Sequence, residues 1–208
     1  MNFTPEIFLA LPALLIAMTF HEYAHAWAAD RLGDPSPRMR GRLTLNPIAH
    51  IDPIGFIMLV LFKFGWAKPV EVNPFNFDNR EKGMAWVSLA GPAMNLLLGF
   101  VATVFYIPLL MKTGRTALTS LLEWILLYNV YFAVFNLIPI PPLDGSKLLF
   151  FILPRGTVYR YLDTVGQYGF LILILAVSTG LVSNTIGSIA DSILYLYQRF
   201  VFILLGFR

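Results

Sequence analysis

Cysteine is absent from this chain of 208 residues, and charged residues are scarce, at 13% of the sequence. Without cysteine the chain forms no disulfide and offers neither a thiolate metal ligand nor a cysteine nucleophile. The charged share is about half of the roughly 25% found in soluble domains, which argues against a soluble fold. No lysine or arginine precedes Arg31, so the basic stretch that opens a cleavable signal peptide is missing. We therefore expect the first apolar segment to be retained.

Hydrophobic residues are abundant instead, at 57% of the chain, and they include 18 Phe, 9 Tyr and 4 Trp. This composition is typical of membrane proteins, whose lipid-facing and interfacial positions favour such side chains. The net charge of +3 is small, and we expect no nucleic-acid binding. The sequence predicts an all-α polytopic membrane protein with a single domain over residues 1–208. Its core region is expected at 5–154 and its C-terminal helices at 160–206.

About five to six apolar helical segments are predicted. Their expected positions are Pro5 to Ala29, 84–111, 117–138, 162–182 and 186–205, together with the shorter run 56–62. The segment 186–205 contains polar residues and is expected either to span the membrane or to lie along its surface. The run 56–62 is too short to cross a hydrocarbon core of about 30 Å. It is predicted to be re-entrant, dipping into the membrane and returning on the same side.

A small membrane-associated β-sheet is also predicted. Residues 38–46 alternate between arginine (Arg38, Arg40 and Arg42) and mostly apolar side chains, which is the period of a strand. A second short alternation follows Pro69, at residues 70–72. We expect these two stretches to pair with each other or with neighbouring strands.

The most informative motif is His21-Glu22-Tyr23-Ala24-His25, inside the first apolar segment. Residues four apart on a helix share one face, so His21 and His25 are spaced to bind one small cation. Glu22 projects beside that face, close enough to accept a proton without being a ligand. The alternatives are a solvated face of a soluble helix, which the apolar neighbours disfavour, and internal hydrogen-bonding groups without a metal. Ionisable groups are costly at membrane depth, which favours a functional site.

A catalytic zinc usually takes three protein ligands and leaves one position open. Since the chain has no cysteine, the third ligand must be His, Asp or Glu. Asp144 is the best candidate, because three prolines in the preceding Pro139-Ile140-Pro141-Pro142 break the helix just before it. The alternative is an ordinary Asp-Gly turn in solvent. The apolar sequence on both sides of the turn places it toward the membrane instead.

Three motifs, taken together and in this order, resemble the site-2 protease family of intramembrane zinc metalloproteases (peptidase M50). They are His21-Glu22-x-x-His25, Gly91-Pro92-Ala93-Met94-Asn95 and the stretch from Asn136 to Gly145. The resemblance implies that His21, His25 and Asp144 bind one zinc ion and that Glu22 is the general base. It also implies a membrane-embedded sheet that holds the substrate as an added strand, the role expected for 38–46 and 68–73. The chain resembles a minimal member without a PDZ or CBS domain.

Three further polar residues are candidates for binding substrate or the oxyanion. Asn136 lies in the region where family members place a residue near the active site. Asn95 either lines the site or satisfies backbone groups freed by Pro92. His50 either stabilises the oxyanion or covers the open metal position, and its alternative is a loop histidine that hydrogen-bonds the backbone.

The predicted function is that of a zinc-dependent intramembrane endopeptidase, which cleaves transmembrane segments of membrane proteins within the lipid bilayer (regulated intramembrane proteolysis). The alternative is a transporter or channel that uses His, Glu and Asp as an ion or proton relay; it predicts an internal repeat, and none is found. Basic residues set the expected orientation. The region 30–83 carries eight Lys or Arg, against two after the next span, so the positive-inside rule places it in the cytoplasm. We expect a multi-pass protein of the cell membrane with its active site toward the cytoplasmic side.

Overall fold

The computed structural model describes residues 7–62 and 65–206, and nearly all of its regular structure is helical. Its α-helices are α1 (Ile7–Arg31), α2 (Ser36–Met39), α3 (Pro53–Phe62), α4 (Arg80–Thr113), α5 (Ala117–Asn136), α6 (Gly145–Leu148), α7 (Arg155–Gly166), α8 (Gly169–Ser178) and α9 (Leu181–Leu204). Short 3₁₀ turns cover Pro47–His50, Pro74–Asn76 and Leu149–Phe151. The predicted helical class is confirmed. Pro5, the expected start of the first helix, and Lys63, one of the eight basic residues, lie outside the described residues.

Three long helices, α1, α4 and α5, pack together and form the centre of the molecule. Their ends follow local sequence signals. The side chain of Asn79 accepts a hydrogen bond from Lys82 N and caps α4, which ends at Gly114 with φ of +68°. Thr116 and Thr119 form a capping box at the start of α5. Helix α4 continues through both Pro92 and Pro108. The apolar segments predicted at 84–111 and 117–138 therefore correspond to α4 and α5.

The C-terminal part packs on this centre through α9. Side chains from three helices form one buried apolar cluster: Ala102, Leu126, Val130, Val134, Ile186, Ala190 and Leu194. The polar residues of α9 stay mostly outside the cluster, and Asp191 accepts a hydrogen bond from the Tyr131 hydroxyl. The helix expected at 186–205 is thus longer, and one of its faces is covered by α4 and α5.

Two of the described helices, α4 and α5, are long and apolar enough to cross a membrane, and α7 with α8 makes a third if that bent pair is one span. The five to six segments predicted are therefore not all reproduced as spans. In particular, the segment predicted at 162–182 is broken, because α7 and α8 meet at an angle of 68°. Gly169 stands at the break, and a Cβ there would lie 1.9 Å from the carbonyl oxygen of Pro141. This close approach allows α8 to begin against the loop that precedes α6.

The predicted β-sheet is wrong: the described residues contain no strand, and only an isolated antiparallel bridge joins Ile51 and Ala67. The stretch 38–46 begins inside the short helix α2, where Pro37 occupies an early helical position that suits its fixed φ. Gly41 then turns the chain with φ of +67°.

The alternating arginines do not lie on a pleated strand; each of them has a different partner. Arg38 pairs with Asp30 and Arg40 with Glu71, both at the surface, whereas Arg42 turns inward and is buried. The second predicted strand, around residue 70, is an irregular segment without a strand partner, because Val70 N–H donates to the side chain of Glu22. In both stretches, the alternation of side chains with a period of two therefore failed to predict the secondary structure.

The predicted re-entrant segment has the geometry that such a segment needs. Helix α3 has 10 residues, too few to cross a membrane. The bridge between Ile51 and Ala67, together with the bond from Lys68 N to His50 O at 2.9 Å, joins the two ends of the excursion. The chain therefore leaves and returns at the same place.

Candidate metal centre

Three side chains bring one potential ligand atom each to a single point. His21 Nε2 and His25 Nε2 are 2.9 Å apart, and each lies 3.1 Å from Asp144 Oδ2. All three residues are buried, at 3%, 8% and 9% exposure. The two histidines come from neighbouring turns of α1, and Asp144 comes from the loop before α6, 119 positions after His25 in sequence. The structure thus joins the residues that the sequence predicted as a ligand set.

The protons on both imidazoles are fixed by hydrogen bonds on the opposite side of each ring. His25 Nδ1 donates to the carbonyl of Val87 at 2.7 Å, and His21 Nδ1 donates to Asn95 Oδ1 at 2.6 Å. Each Nδ1 therefore carries a hydrogen, and in the neutral imidazole this leaves a lone pair on each Nε2. Two imidazole lone pairs and a carboxylate oxygen repel one another at 3 Å. A cation between them removes this repulsion.

Asn95 orients His21 through a buried chain of side-chain amides. Its Nδ2 donates to the carbonyl of Ala17 at 2.9 Å and to Asn129 Oδ1 at 2.7 Å. Since a carbonyl only accepts, this bond fixes the orientation of the Asn95 amide and turns its oxygen toward His21. Asn129 in turn donates to Ile125 O within α5. Both asparagines have 0% exposure, so this link between α1, α4 and α5 is shielded from bulk solvent.

Asp144 reaches the histidines because the chain breaks after α5. The helix ends at Asn136, and three prolines separate it from α6 at Gly145. Gly145 fits against the end of α5, where a Cβ would lie 2.2 Å from the carbonyl oxygen of Leu137. This contact brings the Asp-Gly turn back against the helix bundle, and the solvent-exposed turn considered as the alternative is not what forms.

Gly91 leaves room for the two imidazole rings against α4. A Cβ at this position would stand 2.6 Å from His21 Cε1 and 2.6 Å from His25 Nε2. The small residues of the Gly91-Pro92-Ala93 stretch therefore have a specific use, which is to let α4 approach the ligand face of α1. Neither ring could keep its position beside a larger residue.

We call His21 Nε2, His25 Nε2 and Asp144 Oδ2 the ligand triangle. A cavity of about 290 Å³ opens on it. It is lined by the three ligand candidates, by Glu22, Asn136, Lys147 and Ser88, and by the apolar side chains Pro69, Val70, Val72, Met84, Val87 and Pro142. Glu22 Oε2 accepts a hydrogen bond from Val70 N at 3.1 Å. The predicted base is thus held at the wall of the cavity beside the predicted ligands.

The three further candidates for binding substrate or the oxyanion lie in different places. Asn136 lines the cavity and donates from Nδ2 to Phe132 O, and Asn95 contacts a ligand candidate directly. His50 is fully buried, donates to Thr44 O at 2.8 Å and is not among the described residues that line the cavity. Its position corresponds to the loop histidine considered as the alternative. The stretch 68–73 was predicted to hold the substrate, and its residue Val70 does line the cavity, although not as part of a sheet. Sequence reasoning missed Lys147 as a cavity residue, and nothing in its local pattern would have indicated it.

The donor set fits zinc. A tetrahedral ion binds imidazole nitrogen and carboxylate oxygen at about 2.0–2.2 Å, which sets such ligands roughly 3.3 Å apart. The observed spacings of 2.9–3.1 Å come within a few tenths of an ångström of that value. Three protein ligands facing a cavity match the open coordination of catalytic zinc sites, whereas structural sites are closed by four.

Comparison with known proteins adds independent support. The profile of Peptidase family M50 matches residues 107–177. Three curated relatives are each named as a putative zinc metalloprotease. YwhC of Bacillus subtilis is 37% identical over 200 residues, which covers 89% of each chain. Rip2 of Mycolicibacterium smegmatis is 31% identical over 189 residues, 86% of this chain and 70% of that protein. MJ0611 of Methanocaldococcus jannaschii is 31% identical over 153 residues, 71% and 73% of the two chains.

No solved structure gave a significant match to the chain. The relatives are therefore the stronger evidence, because their similarity extends well beyond the segment that the family profile covers. An identity of 37% over nearly nine-tenths of both chains indicates that this chain and YwhC share a common ancestor and the same architecture. This chain belongs to peptidase family M50, the site-2 protease family.

Proposed function

We propose that this protein is an intramembrane endopeptidase that cleaves transmembrane segments of membrane-protein substrates, in the manner of regulated intramembrane proteolysis. It is a zinc metalloendopeptidase of the site-2 protease type, located in a membrane. In our proposal His21, His25 and Asp144 bind the zinc ion and Glu22 is the general base. The observation that carries the proposal is the ligand triangle, in which three acceptor atoms meet within 3.1 Å and both Nδ1 protons point away.

Zinc, when bound, polarises the scissile carbonyl and acidifies water. Glu22 lies at the cavity wall, with Oε2 occupied by Val70 N–H and Oε1 left to take the proton of the attacking water. The same carboxyl then returns this proton to the leaving amine, so no net proton is consumed. Asn136, also in the cavity wall, is proposed to bind the substrate backbone.

The depth of the site supports a substrate within the bilayer. The carbonyl of Val87 and the close approach at Gly91 lie 7 and 11 residues from Arg80, the start of α4. At 1.5 Å per residue the site is roughly 10–17 Å along this helix, below its basic end. We propose that this end faces the cytoplasm, in line with the positive-inside rule.

The position of the site also supports the proposed division of the chain. All cavity residues lie between His21 and Lys147, which supports a core region at 5–154 that holds the whole active site. The helices within 160–206 are proposed to buttress this core as part of the same single domain over 1–208.

The experiment uses the full chain in proteoliposomes with a transmembrane test substrate. We expect Glu22→Gln to keep its zinc and to lose cleavage by about 10²–10⁴-fold, since it removes the base alone. His25→Ala and Asp144→Ala should lose both zinc and activity. Glu123→Gln is the matched control, because Glu123 pairs with Arg115 at the surface and should behave as wild type. Cleavage by Glu22→Gln at the wild-type rate, or full zinc content in the ligand variants, would contradict the proposal.

A further inference from the structure

An irregular segment forms part of the cavity wall beside the proposed base. We call residues 68–73 the strap; it lies between Ala67, which bridges Ile51, and the 3₁₀ turn Pro74–Asn76. Pro69, Val70 and Val72 of the strap line the cavity. Val70 N–H donates to Glu22 Oε2 at 3.1 Å, although the two residues are 48 positions apart in sequence. The strap is therefore in direct contact with the catalytic machinery.

One end of the strap is tied by a buried arginine. The Arg42 guanidinium donates to Ala49 O at 2.7 Å and also to Lys68 O, and Lys68 N donates to His50 O at 2.9 Å. Arg42 is only 5% exposed, which is unusual for an arginine. Its buried guanidinium is stabilised by hydrogen bonds to these two carbonyls in place of water. The strap is thereby joined to the turn at 47–50.

The other end is tied by a buried carboxylate. Asp34, with 0% exposure, accepts from Asn73 N at 2.7 Å and from Asn76 Nδ2 at 2.7 Å. Asp34 follows the end of α1 and is itself fixed by Ser36. The strap is therefore held at both ends, and the Val70 N–H lies between the two ties.

We propose that the backbone N–H of Val70 is a positioning group for Glu22, and that Arg42 and Asp34 are positioning residues that act through it. The inference rests on the proposed role of Glu22 as general base. A carboxylate at the end of two methylene groups samples several rotamers unless a partner selects one. Val70 N–H fixes one oxygen, cannot take up the proton itself, and leaves the second oxygen for water. Pre-organisation of this kind acts on the rate of the chemical step.

The test removes a single N–H from the full-length protein. Replacing Val70 by the α-hydroxy acid with the same side chain turns the Pro69–Val70 amide into an ester and removes the N–H. The matched control is the same replacement at Glu71, which is exposed outside the cavity lining and whose N–H has no hydrogen-bond partner among the described residues. Zinc content, kcat and KM for a transmembrane test substrate are measured in proteoliposomes. We expect the Val70 ester to lower kcat by about 10–100-fold with zinc content and KM unchanged, and the Glu71 ester to resemble wild type.

An unchanged or increased kcat in the Val70 ester would overturn the inference; an increase would mean that the bond restrains Glu22. Equal losses in both esters would also overturn it, since they would indicate a general effect on the strap. The Val70 ester in a Glu22→Gln background separates the two proposals, because there we expect no further loss of residual turnover. If Glu22→Gln alone retains full activity, the proposed function has failed, whereas an inactive Glu22→Gln with a fully active Val70 ester refutes the positioning role alone.

Discussion

Gly91 makes the clearest demand on residue type near the metal centre. Glycine inside a helix costs about 0.5–1 kcal/mol relative to alanine, so a helical glycine needs a packing reason. Here the reason is the pair of imidazoles, whose nearest atoms would lie 2.6 Å from a Cβ at this position. Helix α4 gives up some of its own stability, and in exchange the two imidazole rings can pack directly against its backbone.

We predict that Gly91→Ala lowers zinc occupancy and cleavage even though it improves helix propensity. The added methyl would displace His21, His25 or α4, because hydrogen bonds from Nδ1 fix both rings in their present positions. Gly187→Ala is the matched control, since Gly187 lies in α9 with open space around its Cβ position. Zinc per protein chain and proteolytic rate are the measurements. Wild-type zinc content in Gly91→Ala would show that the contact is not limiting.

Asn95 shows how far the role of a single residue could be predicted from the sequence. The pattern left open whether its side chain lines the site or satisfies backbone groups near Pro92. In the structure it orients His21 and donates to Ala17 O of the neighbouring helix α1. Buried amides that fix the unliganded nitrogen of a metal-binding histidine tune both its tautomer and its direction. The partner, Asn129, was not predictable, because only the packing of α4 on α5 brings the two together.

At the scale of elements, the sequence predicted what depends on local chemistry. Helix α1 carries two of the proposed ligands four residues apart, and Gly33 with Pro35 and Pro37 ends it, so this half of the site was predictable from one stretch. The sheet was not, because the alternation at 38–46 reflected three arginines with three different partners. The position of the strap depends on contacts with Asp34 and Arg42, distant in sequence, which no local pattern records.

Asp34 offers a test of how the strap is held. Burial opposes ionisation of this carboxyl, but the hydrogen bonds from Ser36, Asn73 and Asn76 outweigh it and lower the pKa of Asp34 below its ordinary value. A lowered folded pKa stabilises the protein above the unfolded value of about 3.9, and this contribution is lost as the pH falls through the folded value.

We therefore predict that Asp34→Asn destabilises the protein at neutral pH, by at least about 1.5–3 kcal/mol for one lost hydrogen bond to a charged group. The difference in melting temperature between wild type and variant should shrink below about pH 4, as the wild-type carboxylate is protonated. Thermal unfolding in detergent across this pH range measures it. Asp163→Asn, at an exposed position of α7, should change stability by less than about 0.5 kcal/mol. A pH-independent difference between wild type and Asp34→Asn would contradict the role given to the charge.

At the scale of the whole molecule, α4 relates the active site to the two sides of the membrane. Its 34 residues extend about 51 Å at 1.5 Å per residue, more than the roughly 30 Å of a hydrocarbon core. The basic region of the chain precedes Arg80, and Lys112 and Arg115 follow near the opposite end. Since the ligand triangle packs against the first third of this helix, the direction of α4 determines which side supplies water to the site.

The absence of cysteine makes this direction measurable, because one introduced thiol then reports one position. Asp78→Cys and Lys112→Cys place exposed thiols just before α4 and near its end. With a membrane-impermeant maleimide, we expect Lys112→Cys to label in intact cells and Asp78→Cys to label only after permeabilisation. Retained cleavage activity of both variants checks that the labelled protein is folded. The reverse labelling would place the basic region outside the cell, against the positive-inside rule, and the water that reaches Glu22 would then come from the outer side.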